Sequence, residues 1–225
     1  MKNTFAGVTE GITDQKIIEN ILAGYFESRN LDVNWLQPLR DTTDANRSRN
    51  FGGWSQVFEY CRSPNFRESF QFNEYVIVHI VTDVSDEYYG VPHQDENGEI
   101  PPEQLIEKVI EKFKSAIGED FYGQCEDKII FAIAVHSTEC WLLPLYYADN
   151  KKSKIKSCLS TLNQALQSKE GFTIDPNNKN PHYYQNISSK YCKQKTLLSS
   201  YKQNPSLKIF IEEIEKRNIV IEEDI

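Results

Sequence analysis

Hydrophobic positions along the chain recur with two periods, and the switches between them lay out the expected fold. Residues 3–9 read as a short strand that runs into Glu10 and Gly11. Ile17, Ile18, Ile21, Leu22, Tyr25 and Phe26 then recur at the spacing of an amphipathic helix, with Asp14 in the position of its N-cap. "LDVNWLQPL" reads as a second strand. Trp54, Val57, Phe58 and Cys61, at i, i+3, i+4 and i+7, predict a short helix over "GGWSQVFEYCRS". Tyr75 to Val81 is apolar on both faces except at His79, the pattern of a central strand covered on both sides. After a long polar loop, Pro101-Pro102 starts a helix with Leu105, Ile106, Val109, Ile110, Phe113 and Ile117 on one side. "KIIFAIAV" is the last strand of the series, and "HSTECWLLPLYYAD" follows it directly.

Strand and helix therefore alternate, which predicts an α/β class with a parallel sheet flanked by helices on both faces. From about residue 151 only helical patterns remain, over 153–167, 187–203 and 205–217, broken by the loop "GFTIDPNNKNPHYYQN". The expectation is an α/β domain over 1–150 and a helical C-terminal part over 151–225 packed on it.

Composition narrows the setting. The 225 residues are 39% hydrophobic and 26% charged, ordinary for a globular chain. No apolar run approaches the roughly 20 residues that span a bilayer, and "MKNTFAGVTEG" lacks a signal-peptide core. A cytoplasmic protein without membrane contact is expected. Five scattered cysteines with no C-x-x-C point to reduced thiols and away from a zinc site or a disulfide framework. The net charge of −8 provides no general attraction for nucleic acid, so such a substrate needs a bound cation or a local basic patch. Candidate patches are "RDTTDANRSR" with Arg40, Arg47 and Arg49, and "NKKSKIKS" with Lys151, Lys152, Lys154 and Lys156. No dinucleotide, Walker or nucleophile-elbow motif is present.

The chemistry gathers where open parallel sheets concentrate function, at the carboxyl ends of strands. Glu10 ends the first strand, Asp83 and Asp86 follow the third, and Glu139 lies three residues beyond His136 after the fourth. Carboxylates crowded at one edge repel unless a cation neutralises them. Oxygen ligands of this kind suit Mg²⁺ or Mn²⁺. Acids at strand ends also cap helices, and Asp14 and Glu139 are open to that simpler role. His79 reads as a core histidine, His136 with Glu139 as a second metal pair or an unrelated neighbour, and Ser137 as a capping residue. Tyr88 and Tyr89 in "YYGVPHQDENGEIPPE" are placed either to stack on bases or to pack the loop.

Three stretches resemble one family. "VTEGITDQKIIENIL", a glutamate closing strand one, then glycine, then a Thr-Asp helix start, resembles the opening motif of TOPRIM domains. These are the catalytic domains of topoisomerases, bacterial primases and overcoming-lysogenisation-defect nucleases. "AIAVHSTECWLLPLYYAD" resembles the S-x-E-x-W-L-L segment of small standalone TOPRIM-like proteins associated with phage defence, and "YKQNPSLKIFIEEI" is similar to their tail. The resemblance implies a Rossmann-like TOPRIM sheet with a C-terminal helical extension, and a Mg²⁺- or Mn²⁺-dependent nuclease acting on DNA or RNA. It further implies an ATPase partner protein and leaves a homo-oligomer open. By position, Glu10 matches the family's catalytic glutamate, Asp14 the first-helix aspartate and Glu139 the glutamate of S-x-E-x-W. Asp83 matches the second acid of Asp-x-Asp; the first falls on Val81, where the chain reads "VTD". Two-metal phosphodiester cleavage uses cations roughly 4 Å apart, so this departure allows three outcomes. Asp86 substitutes, the site holds one ion, or the chain is a catalytically impaired interaction subunit. A phosphoacceptor domain is a weaker alternative, since no lysine follows the fourth strand.

Overall fold

The computed structural model describes residues 3–28, 31–40 and 53–221. Four strands, β1 (Asn3–Val8), β2 (Val33–Gln37), β3 (Asn73–Val81) and β6 (Ile129–Ala134), form one sheet in the order β2-β1-β3-β6. Every pairing in it is parallel. The remaining two strands, β4 (Gln94–Asp95) and β5 (Gly98–Glu99), make a small antiparallel hairpin inside the loop that follows β3.

Alternation along the strands splits the core in two. Ile77 in β3 and Ile130, Ala132 and Ala134 in β6 face one side, where α1 (Ile12–Tyr25) lies. The C-terminal helices α7 (Cys158–Glu170), α8 (Pro181–Ser188), α9 (Gln194–Ser200) and α10 (Pro205–Glu215) pack on that same side. Val76, Val78 and Ile80, with Ile129, Phe131 and Ile133, face the other. There they meet α2 (Trp54–Arg62), α3 (Pro64–Ser69), α5 (Pro102–Ile117) and α6 (Glu119–Cys125). The chain is an α/β, Rossmann-like layered fold, as the alternating periods predict. β3 sits at its centre, fully buried from Val76 to Ile80.

Some element boundaries differ from the pattern. The first helix starts at Ile12 with Gly11 as its N-cap, so Asp14 stands inside the first turn and caps nothing. The polar loop after β3 contains a short helix, α4 (Ser85–Tyr89), besides the hairpin. "HSTECWLLPLYYAD" folds into a 3-10 segment over Thr138–Leu145, and Ser137 at its N-cap makes no side-chain cap bond. The expected helix over 187–203 is broken by a 3-10 turn at Ser189–Cys192.

The expectation of five reduced thiols is also corrected. Cys140 and Cys158 are joined by a disulfide, while Cys61, Cys125 and Cys192 are free. The 3-10 segment after β6 lays Cys140 against the start of α7. That proximity comes from tertiary folding and has no spacing signature in the chain.

One glycine is set by a close approach. Gly24 lies in the last turn of α1, where a Cβ would run into the carbonyl oxygen of Tyr191. Gly24→Ala is therefore expected to push α1 off the 189–192 turn and to destabilise the fold by about 2–3 kcal/mol. A lowered urea midpoint checks it; an unchanged midpoint would show that the turn yields freely.

Candidate active site

The carboxyl edge of the sheet is assembled by backbone ties between strand ends. Thr82 N–H donates to the Ala134 carbonyl at 3.1 Å, and Thr82 Oγ1 accepts the His136 N–H at 2.8 Å, locking the exits of β3 and β6 together. The Gly53 N–H donates to the Glu10 carbonyl at 2.8 Å, which fixes the start of α2 to the exit of β1. Because β1, β3 and β6 are neighbours, the residues just past each strand meet over the middle of the sheet.

Glu10, Asp83 and Glu139 are those residues, and one lysine stands among them. Lys179, from the loop before α8, places its ammonium 2.7 Å from Glu139 Oε1. The Tyr184 hydroxyl donates to the same oxygen at 2.6 Å. Lys179 also acts electrostatically on Glu10, Asp14 and Asp83, so a single cation serves four acids.

Each acid carries a different load. Glu10 Oε1 accepts the Val81 N–H at 2.6 Å. Burial nevertheless pushes the Glu10 carboxyl up to about 8, reinforced by Asp14 and Asp83 and opposed by the Val81 N–H and Lys179. Asp83 opens to solvent at the rim, yet its carboxyl is also raised. Partial burial raises it first and Glu139 adds to that, while the Val84 N–H and Lys179 oppose. Glu139, almost wholly buried, is driven upward by burial but ends below its ordinary value because Lys179 and Tyr184 outweigh it. Lys179 is held above its usual range by Glu139, against the effect of its own burial. At neutral pH the cluster therefore holds Glu10 protonated and Glu139 ionised. Two carboxyl groups in one pocket with displaced values are the pattern of acid–base chemistry.

Asp14 forms the floor on the α1 side. The Thr138 hydroxyl donates to Asp14 Oδ1 at 2.7 Å and stands 3.3 Å from His79 Nε2. His79 is fully buried, held neutral chiefly by burial, and its Nδ1 has no partner among the described residues. It packs edge-on to Trp141, as a core histidine should. Val81, on the same face of β3 as His79, packs against that side of the core.

Asp86 is exposed in the first turn of α4. His136 turns away. Its ring stacks on His93 at 4.3 Å, and burial, His93 and Lys156 together lower it to about 4. The basic runs are largely engaged within the fold. Arg40 reaches Glu19 at 2.6 Å, Lys154 donates to Thr161 Oγ1 at 2.9 Å, and Lys151 lies 5.0 Å from the Tyr147 ring centre. Lys152 is half-buried in the same short turn. Arg47 and Arg49 lie outside the described residues.

The tail packs on the segment that carries Glu139. Asn204 caps α10 and donates to the Cys140 carbonyl at 3.3 Å, and Trp141 Nε1 donates to Ser206 Oγ at 2.8 Å. "NPS" thus clamps the segment that carries Glu139. Lys179 and Tyr184 are the residues that sequence reasoning missed. Both come from the loop-and-helix region 171–188, some forty residues from Glu139, and only its many asparagines and prolines marked that region.

In donor chemistry the residues fit Mg²⁺ or Mn²⁺, being carboxylate oxygens, and burial raises two of them, Glu10 and Asp83, above their ordinary values. Among the described residues no three His, Cys, Asp or Glu side chains form a ready-made cage. The Lys179 ammonium pairs with Glu139 there. No helix among the described residues is long and apolar enough to cross a membrane. No protein-family model, curated protein or solved structure matches the chain.

Proposed function

We propose that the chain is a metal-dependent TOPRIM-type nuclease that hydrolyses phosphodiester bonds of DNA or RNA, acting as an anti-phage effector beside an ATPase partner. One observation carries the reading: acids from three separate strand ends share one pocket, and one of them is held protonated near neutral pH.

In this reading Asp83, Glu139 and Glu10 would hold Mg²⁺ or Mn²⁺, which when bound neutralises charge on the phosphate and lowers the pKa of water. The chain's own residues do the rest. Glu10 takes or returns a proton at its free carboxylate oxygen, the other being fixed by the Val81 N–H. Lys179 sets a positive charge where a scissile phosphate adds negative charge. Tyr184 and Thr138 orient Glu139 and Asp14.

The second reading, an impaired interaction subunit, rests on Val81. Its side chain packs against the α1 side of the core, at the position where the family pattern has an acid. Cleavage assays on DNA and RNA with Mn²⁺ separate the two readings. The unaltered chain is expected to cut, and Glu10→Ala to lose activity. Cleavage that appears only in Val81→Asp sinks the nuclease reading and leaves a disabled site.

A further inference from the structure

Beside the acid pocket, on the opposite face of the sheet, lies a groove of about 300 Å³. Trp54, Phe58 and Arg62 of α2 line one side, and Tyr88, Tyr89 and Lys112 close it. The rings of Trp54 and Tyr88 are stacked at 5.1 Å, and Tyr88 is 51% exposed, so half of a large aromatic surface is left to water. Arg62 lies 5.7 Å from the Phe58 ring centre. Lys112 projects its ammonium toward Gly90, at the end of α4. Among the described residues neither cation makes an ion pair.

We infer that this groove binds one nucleotide unit of a single-stranded nucleic acid, the base on the Trp54–Tyr88 stack and its phosphate between Arg62 and Lys112. The inference deepens the nuclease reading and rests on it. Two features select this occupant. An exposed aromatic stack accepts any base, because every base has a π face. Two cations beside it, on a chain of net charge −8, supply local charge complementarity to a phosphate that the chain as a whole repels.

The groove also touches the reactive pocket. Tyr89 lines the groove through its ring and donates its hydroxyl to the Val81 carbonyl at 2.9 Å, next to the Val81 N–H that holds Glu10. A strand seated on Tyr88 would continue past Tyr89 toward Glu10 and Asp83.

The protein carries its own reporter. Trp35 and Trp141 are buried, at 6% and 0% exposure, so quenching of tryptophan emission by a bound base reads Trp54. The experiment titrates the full chain with oligothymidylate and, separately, oligouridylate in EDTA, where nothing is cut. Saturable quenching is expected. Tyr88→Ala should weaken binding about tenfold. Arg62→Gln and Lys112→Gln should each lower the slope of log affinity against log salt by about 0.7. Unchanged melting temperatures of these surface variants exclude misfolding. Absence of quenching, or Tyr88→Ala binding as tightly as the unaltered chain, overturns the inference. Quenching that instead follows protein concentration through dimer formation gives the groove to a second copy and also overturns it. The failures stay distinct. Cleavage that depends on Glu10 yet ignores Tyr88 and Arg62 removes the groove and keeps the nuclease; strand binding without any cleavage does the reverse.

Discussion

Glu10→Gln is expected to abolish Mn²⁺-dependent cleavage while making the protein more stable above pH 8. The Glu10 carboxyl titrates near 8 in the fold, against 4.5 as its ordinary value. Between those two values the folded chain keeps a proton that the unfolded chain has released. Stability therefore falls as pH rises from 4.5 toward 8, at a slope of up to about 1.4 kcal/mol per pH unit. The accumulated cost by pH 8 is on the order of several kcal/mol before local relaxation relieves it. A neutral glutamine of the same shape carries none of this penalty. Urea titrations of both proteins from pH 5 to pH 9 check it. The unaltered chain should lose stability across that window, and the variant should lose much less. Asp83 is raised too and contributes in the same direction, so the difference between the two proteins isolates Glu10. Equal slopes would show that Glu10 is ionised throughout. A residue whose removal stabilises the fold and stops the chemistry is placed for chemistry.

Much of this arrangement is legible in the chain, and the illegible parts share a cause. Periodicity predicts the sheet because each strand of it is buried on two faces or one, which leaves an uninterrupted or alternating apolar mark. The acids after β1, β3 and β6 are readable because parallel strands deliver their exits to one edge by topology alone. Glu10, Asp83 and Glu139 accordingly meet, whereas Asp86, three residues further on, stands exposed in the first turn of α4. The disulfide, Gly24 and Lys179 are different. Each depends on a contact between segments far apart in sequence, and nothing local records such a contact. Lys179 in particular lies in a polar loop where a lysine normally means only a solvated surface. Thr82 was hidden for another reason. It sits between the two positions that matter in "VTD", and its role is to tie β3 to β6 rather than to touch a ligand. The absence of a lysine after β6 counts against a phosphoacceptor in sequence, yet a lysine reaches the pocket through space.

Lys179→Met should separate the cation's structural role from its chemical one. The substitution keeps the apolar stem and removes the charge. Glu139, almost wholly buried, would retain the Tyr184 hydroxyl and a backbone N–H. An unpaired buried carboxylate is costly, but Lys179 is 41% exposed and water enters when the ammonium goes. The expected loss of stability at neutral pH is therefore about 1–2 kcal/mol. Its pH dependence has the opposite sign to that of Glu10. The Glu139 carboxyl is held below 4.5 in the fold, so its pairing adds stability above 4.5 that is lost as pH falls through the folded value. The variant should lose that acid-side dependence. Mn²⁺ then distinguishes the roles. In the unaltered chain a divalent ion competes with the ammonium for the same carboxylates, so the rise in melting temperature on adding Mn²⁺ should be larger in Lys179→Met. Cleavage should nevertheless fall by about 10²-fold, mainly in kcat, if the ammonium meets the phosphate in the transition state. A Mn²⁺ response that is smaller in the variant would show that the lysine supports the ion instead of displacing it. Unchanged kcat would confine Lys179 to holding Glu139 in place, and leave Glu10 and Asp83 to carry the chemistry.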